Sequence, residues 1–261
     1  MTTLATRTIH ALRHEHEVLT EVVGRLTDEQ LAGPSGASEW SVAQVLSHLG
    51  SGSEITLASL TAALGEGDAP DDDFNPSVWA RWDAMAPADQ RAAFLEHDRR
   101  LVDRLEALTP EQHALTVPIG FLPAPATVAT FAGLRLNEVA NHSWDVRVAV
   151  DSGSGVLDTT VPVLFEHLSG ALDVLVGFAG KADVLDNPVV LSLGDSGYRV
   201  VIDDGVRLEH ETEGGTAAFS GAPEAAVRLL FGRLGPAYTP VDVDVTGNVT
   251  LAELREVFPG F

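Results

Sequence analysis

Apolar residues recur at helical spacing through the first half of the chain. Leu4, Ile9, Leu12, Leu19, Val22, Val23 and Leu26 mark one face of a first helix over residues 3–26, with the steps of three and four that a period of 3.6 requires. His10, His14 and His16 fall among glutamates, and the pattern predicts a solvated face for them. Gly33, Pro34 and Gly36 then break the helix. Ser41 followed by Gln44 has the form of a capping box. A second helix is expected from there to about residue 64, striped by Val45, His48, Leu49, Gly52 and Ile55. The acidic stretch GEGDAPDDDFNP ends it as a solvated loop. Trp79, Trp82, Phe94, Leu101, Val102, Leu105 and Leu108 predict a third helix from residue 76 or 77, which Pro87 kinks or divides. A stretch with three prolines, 118–130, reads as loop or crossover, and a fourth helix is expected over about 127–150. Four such helices make a bundle.

Beyond residues 151–155, DSGSG, the pattern changes. One helix is expected over 160–178, then strands at 189–193, 198–202 and 206–211 separated by Gly-Asp-Ser-Gly and Asp-Asp-Gly turns. A helix over 222–230, a strand over 241–246 and a helix over 251–258 complete the chain. The fold class expected is therefore mainly α, an N-terminal four-helix bundle (residues 1–152) followed by a smaller α+β domain (153–261) with a mainly antiparallel sheet.

Composition narrows the functions available. With 45% hydrophobic and 21% charged residues the chain is globular in character. A formal charge of -22 repels phosphate backbones and anionic lipid, so neither nucleic acid nor membrane is an expected partner. Neither a secretory signal nor a transmembrane run is read in the sequence, and a cytoplasmic location is expected. There is no cysteine. Any thiol chemistry must therefore use a thiol from outside.

The candidate chemistry lies in LRLNEVANHSWDVRV, residues 134–148. Glu138 and His142, four residues apart, stack on one helix face. His48 sits on the apolar stripe of the second helix. Taken singly, each has a plain reading: a core histidine, or a solvated i,i+4 pair worth a few tenths of a kcal/mol. Their shared position on apolar stripes favours a meeting inside the bundle. A carboxylate buried there needs a compensating charge, which a divalent metal would supply. Three protein ligands leave a coordination position open for water or substrate. Asp145 reads either as an acceptor behind a ligand histidine or as a surface carboxylate. The four tryptophans, Trp40, Trp79, Trp82 and Trp144, are expected in the core or in domain contacts. Gly-Asp-Ser-Gly at 194–197 reads as a turn, and no dinucleotide or phosphate loop is present.

The combination EWSVAQVLSHLG, NEVANHSWDVRVA and FSGAPEAAVRLLFGRLGP resembles the mycothiol-dependent maleylpyruvate isomerase family, whose N-terminal domain belongs to the DinB-like metal-binding bundles. The resemblance covers most of the chain. It implies that His48, Glu138 and His142 hold a divalent metal, zinc above others, and that mycothiol serves as the thiol cosubstrate. It also implies a catalytic arginine in the C-terminal domain, best matched by Arg233, with Arg228 a poorer match. The implied activity is thiol-dependent isomerisation or S-transfer on a small electrophile. A non-catalytic binder of apolar ligands and a metal-dependent hydrolase are the rival readings.

Overall fold

Caps and stripes set the helices of the first half. The computed structural model describes residues 2–122, 124–211 and 213–260, and the chain divides into two units, 1–154 and 155–261. In the first unit, α1 (Leu4–Val23) starts where the Thr3 side chain accepts from the Thr6 N–H. It buries Ile9, Leu12, Leu19 and Val23. A short helix α2 (Asp28–Ala32), opened by a Thr27/Gln30 capping box, lies where only a break is expected from the sequence. The Ser41/Gln44 box opens α3 (Val42–Ala63) as expected. Pro87 divides the expected third helix into α4 (Phe74–Asp83) and α5 (Pro87–Glu106), taking the first position of α5, where its missing N–H is harmless. A two-residue ladder of β1 (Thr116–Val117) with β2 (Ala126–Thr127) leads into α6 (Val128–Val148), capped by Thr127.

The four long helices are α1, α3, α5 and α6. The α6 helix is buried on most of its circumference, and Arg135, Asn137, Asn141, Asp145 and Arg147 are buried along with its apolar residues. Its polar residues therefore do not mark a solvent face, and amphipathic reasoning alone underestimates its burial. At Gly50 a Cβ would come within 2.2 Å of the Trp82 ring. Glycine there lets the Trp82 indole lie flat on α3, where its Nε1 donates to Glu54 at 2.9 Å.

The second unit is α+β. Its helices are α7 (Val161–Leu168), α8 (Asp173–Ala179), α9 (Pro223–Leu230) and α10 (Leu251–Val257). One five-stranded sheet is built from β3 (Val189–Leu193), β4 (Tyr198–Ile202), β5 (Val206–His210), β6 (Ala217–Ser220) and β7 (Asp244–Gly247), in the order β5-β4-β3-β6-β7. Only the β3–β6 pair is parallel. Two expectations need correction. The single helix over 160–178 is two helices: Ser169 and Gly170 let the chain turn by 90° between them. The strand β6 was missed, because AAFS is too short and too alanine-rich to carry a strand signal, and the last strand starts at Asp244. Among the described residues no single helix is long and apolar enough to cross a membrane; the bent α7–α8 pair meets the length and composition test only jointly.

Candidate metal centre

Helices α3 and α6 bring the three predicted residues together. His48 stands in the second turn of α3, and Glu138 and His142 are successive turns of α6. His48 Nε2 lies 3.0 Å from Glu138 Oε2, and His142 Nε2 lies 3.8 Å from the same oxygen. One ligand atom from each falls within 4.8 Å of the others. The two imidazole rings meet edge to face, 4.7 Å between centroids. The His48 and Glu138 side chains are 37% and 41% exposed, so the group opens outward and is not sealed in the core. Burial pushes the Glu138 carboxyl up, but the hydrogen bond from His48 and the charges of His142, His48 and Arg135 outweigh it and bring its pKa down to about 2. The donor set is two imidazoles and an ionised carboxylate converging from one side, which fits a divalent ion of the zinc class with a position to spare.

Asp145 is the acceptor behind a histidine and not a surface carboxylate. It is fully buried, and its Oδ2 lies 2.8 Å from His142 Nδ1. An Nδ1–H held there leaves the Nε2 lone pair directed at the centre, the arrangement usual for a metal-ligating histidine. Asp145→Ala is expected to weaken zinc binding by about 10–100-fold, the usual effect of losing such a partner. Competition against a chromophoric chelator measures it, and an unchanged affinity would remove Asp145 from the centre.

The tryptophans divide. Trp82 and Trp144 are core residues, but Trp40 and Trp79 are not. The Trp40 indole sits 5.2 Å from the His48 ring and stacks at 20° on the His142 ring, 5.9 Å away. Its loop is tied down locally. Gly36 N–H donates to the Asp145 carbonyl at 2.8 Å, and a Cβ at Gly36 would come within 2.7 Å of Val148 and 2.8 Å of Trp144. Glu39 takes a left-handed φ of 69°, a strained conformation for a residue with a side chain, directly before Trp40.

A buried cluster without a signature in either helix alone joins α3 and α6. Arg135 Nη2 donates to the Leu49 carbonyl at 2.8 Å, to Ser53 Oγ at 2.7 Å and to Asp98 Oδ1 at 3.1 Å. Ser53 donates to Asp98 at 2.9 Å, and His16 Nδ1 lies 2.8 Å from Asp98 Oδ2. His16 is thus buried against Asp98, contrary to the solvated face expected for it. Gly52 makes room, since a Cβ there would come within 2.8 Å of the guanidinium. Burial pushes the Asp98 carboxyl up; the His16 hydrogen bond, the Arg135 and His16 charges and the Ser53 hydroxyl together hold it below the usual range. The cluster grips the carbonyl next to His48 from a residue one turn before Glu138, and so sets the spacing of the two ligand helices. An i,i+3 or i,i+4 reading of one helix at a time has no access to such a contact.

Arg233 lies in the second unit, just after α9, and donates to the Phe231 carbonyl at 3.0 Å. Arg228 is buried, bonded to both Glu224 oxygens and to the Tyr238 carbonyl.

The sequence profile of the mycothiol maleylpyruvate isomerase N-terminal domain matches residues 12–147, a span that contains all three candidate ligands. No curated protein sequence matches the chain. Among solved structures, a mycothiol-dependent maleylpyruvate isomerase is similar, with a TM-score of 0.67 and 14% identity over 95% of this chain and 98% of that one. A histidine-to-alanine mutant of a mycothiol-dependent maleylpyruvate isomerase is similar with a TM-score of 0.66 and 16% identity, at the same coverage. At these identities the likeness is one of fold.

Proposed function

From the premise that the chain belongs to the mycothiol maleylpyruvate isomerase family, we propose that it is a metal- and thiol-dependent enzyme acting on a small electrophile. The observation that carries this is the gathering of ligand atoms from His48, Glu138 and His142 within 4.8 Å at the outward end of two helices. These residues would hold a divalent ion, zinc for preference, whose Lewis acidity lowers the pKa of a thiol brought to the open position. With no cysteine in the chain the thiol is an external one, and the family points to mycothiol.

The chain's own groups prepare the site. Asp145 holds the His142 Nδ1 proton and fixes the ring. Trp40 covers one side of both imidazoles and excludes water there. Arg233, the better match to the family pattern, would contact a substrate oxygen as the resemblance implies. The external thiol acts as nucleophile. It either adds to a conjugated cis double bond and leaves again after rotation, giving the trans isomer, or displaces a leaving group, giving a thioether.

The test is turnover of maleylpyruvate and of a panel of soft electrophiles by zinc-loaded protein, with and without mycothiol. Turnover that requires both zinc and thiol is expected. Activity that persists without any thiol would replace this reading with hydrolysis by bound water.

A further inference from the structure

A cleft of about 590 Å³ includes His48 of the centre in its lining, together with Trp40, Gln44, Ser51, Trp79, Asp83 and Gln90. We propose that this cleft takes a flat ligand body that is uncharged or cationic and turns carboxylates away. The proposal deepens the reading above by naming the class of electrophile, but its binding step does not depend on that reading.

Three observations carry it. First, no lysine or arginine borders the cleft. Arg81, on the same helix as Trp79 and Asp83, is bonded to Glu54 instead. His48 Nε2 is already partnered by the Glu138 carboxylate, 3.0 Å away. Away from the metal position, an anionic ligand would give up its hydration and find no lysine or arginine in exchange, in a chain whose net charge is -22.

Second, two indoles are left bare. Trp79 is 49% exposed and Trp40 38%. Large apolar groups at the rim of a concave surface mark binding sites more often than they occur without purpose. Their faces suit flat rings by stacking and suit cations through the ring quadrupole.

Third, Trp79 and Asp83 are one helical turn apart on α4 and therefore share a face. Asp83 is exposed and has no ionic or hydrogen-bonding partner among the described residues. An aromatic face beside a free carboxylate favours cations and disfavours anions. The Gln44 oxygen is taken by the Ser41 N–H in the capping box, which leaves its exposed Nε2 to donate to a neutral polar substituent. A dicarboxylate such as maleylpyruvate is on this account a poor occupant.

The experiment uses three isosteric probes, benzamidine, benzamide and benzoate, titrated calorimetrically into the metal-free full chain so that benzoate cannot coordinate zinc. Benzamidine and benzamide are expected to bind, and benzoate about tenfold more weakly than benzamide or worse, the expected effect of like charge facing like charge. Trp79→Ala is expected to weaken benzamidine and benzamide together, and Asp83→Asn to narrow the gap between benzamidine and benzoate. Benzoate binding as tightly as benzamide would overturn the proposal, and so would Trp79→Ala leaving all three unchanged. A zinc-loaded protein that shows the expected probe order but no thiol-dependent turnover would sink the proposed function and leave this inference standing.

Discussion

Glu138→Gln is expected to lower zinc affinity by more than the roughly 10–100-fold typical of an outer-shell partner, and to abolish thiol-dependent turnover with it. The amide keeps the shape of the carboxylate and loses its charge. Both imidazoles converge on Glu138 Oε2, at 3.0 and 3.8 Å, so this oxygen is the common point of the centre. With its pKa held at about 2, the carboxylate is ionised at any pH where the protein would work. It is the one anionic donor in the set and offsets the charge of a divalent ion. Because the side chain is 41% exposed, its replacement has little effect on the fold. Chelator competition reads the affinity, and a thermal melt of the metal-free variant reads the fold. Wild-type zinc affinity in this variant would remove Glu138 from the ligand set.

The second large effect is expected at the buried cluster. Asp98→Ala leaves the Arg135 guanidinium buried beside the uncharged Ser53 and Leu49 groups, and a severed buried ion pair of this kind costs about 3–5 kcal/mol. That is a large part of the ~5–15 kcal/mol that holds a typical domain together. Arg135→Met is expected to cost a similar amount, and the double variant Asp98→Leu with Arg135→Met less than the sum, because no charge is then stranded. The pH dependence has a definite sign. The Asp98 carboxyl is held below its ordinary value, so its contribution is fully present above the unfolded aspartate pKa of about 3.9. It is lost as the pH falls through the lower, folded value. Urea melts of wild type and Asp98→Ala at neutral and acid pH check this. The difference between them is expected to shrink on acidification, and a difference independent of pH would contradict it.

Much of the frame was legible because local signals and global packing agree. The Ser41/Gln44 box starts α3, Pro87 splits α4 from α5, and the apolar stripes of α1 and α3 run as read. The juxtaposition of His48 with Glu138 and His142 was also legible from their shared place on apolar stripes, although the group opens outward and does not lie inside the bundle as expected. What could not be read depends on contacts between helices. His16 looked like its neighbours His10 and His14 until Asp98, 82 residues away, was seen to meet it. Nothing in the helix of Arg135 shows that Gly52 opposite leaves its guanidinium a slot. Trp40 and Trp79 were expected in the core or in domain contacts, and size and apolarity do not reveal that a cleft leaves these two indoles exposed. In the second unit, the break at Ser169 and Gly170 and the four-residue β6 have weak local signatures, and β6 is fixed by its pairing with β3 and β7.

His48 and Glu138 are 90 residues apart in the chain. Closing a flexible loop of that length costs on the order of 4 kcal/mol by the logarithmic law, and adding several residues to it changes that figure by almost nothing. A change in length of the acidic connection between α3 and α4 is therefore expected to leave the centre intact. The opposite holds inside the helices. One residue inserted between His48 and Gly52, or between Arg135 and His142, turns everything beyond it by about 100° and points a ligand or its clamp away from the others. Length is unconstrained across the loop and fixed within a few turns of helix.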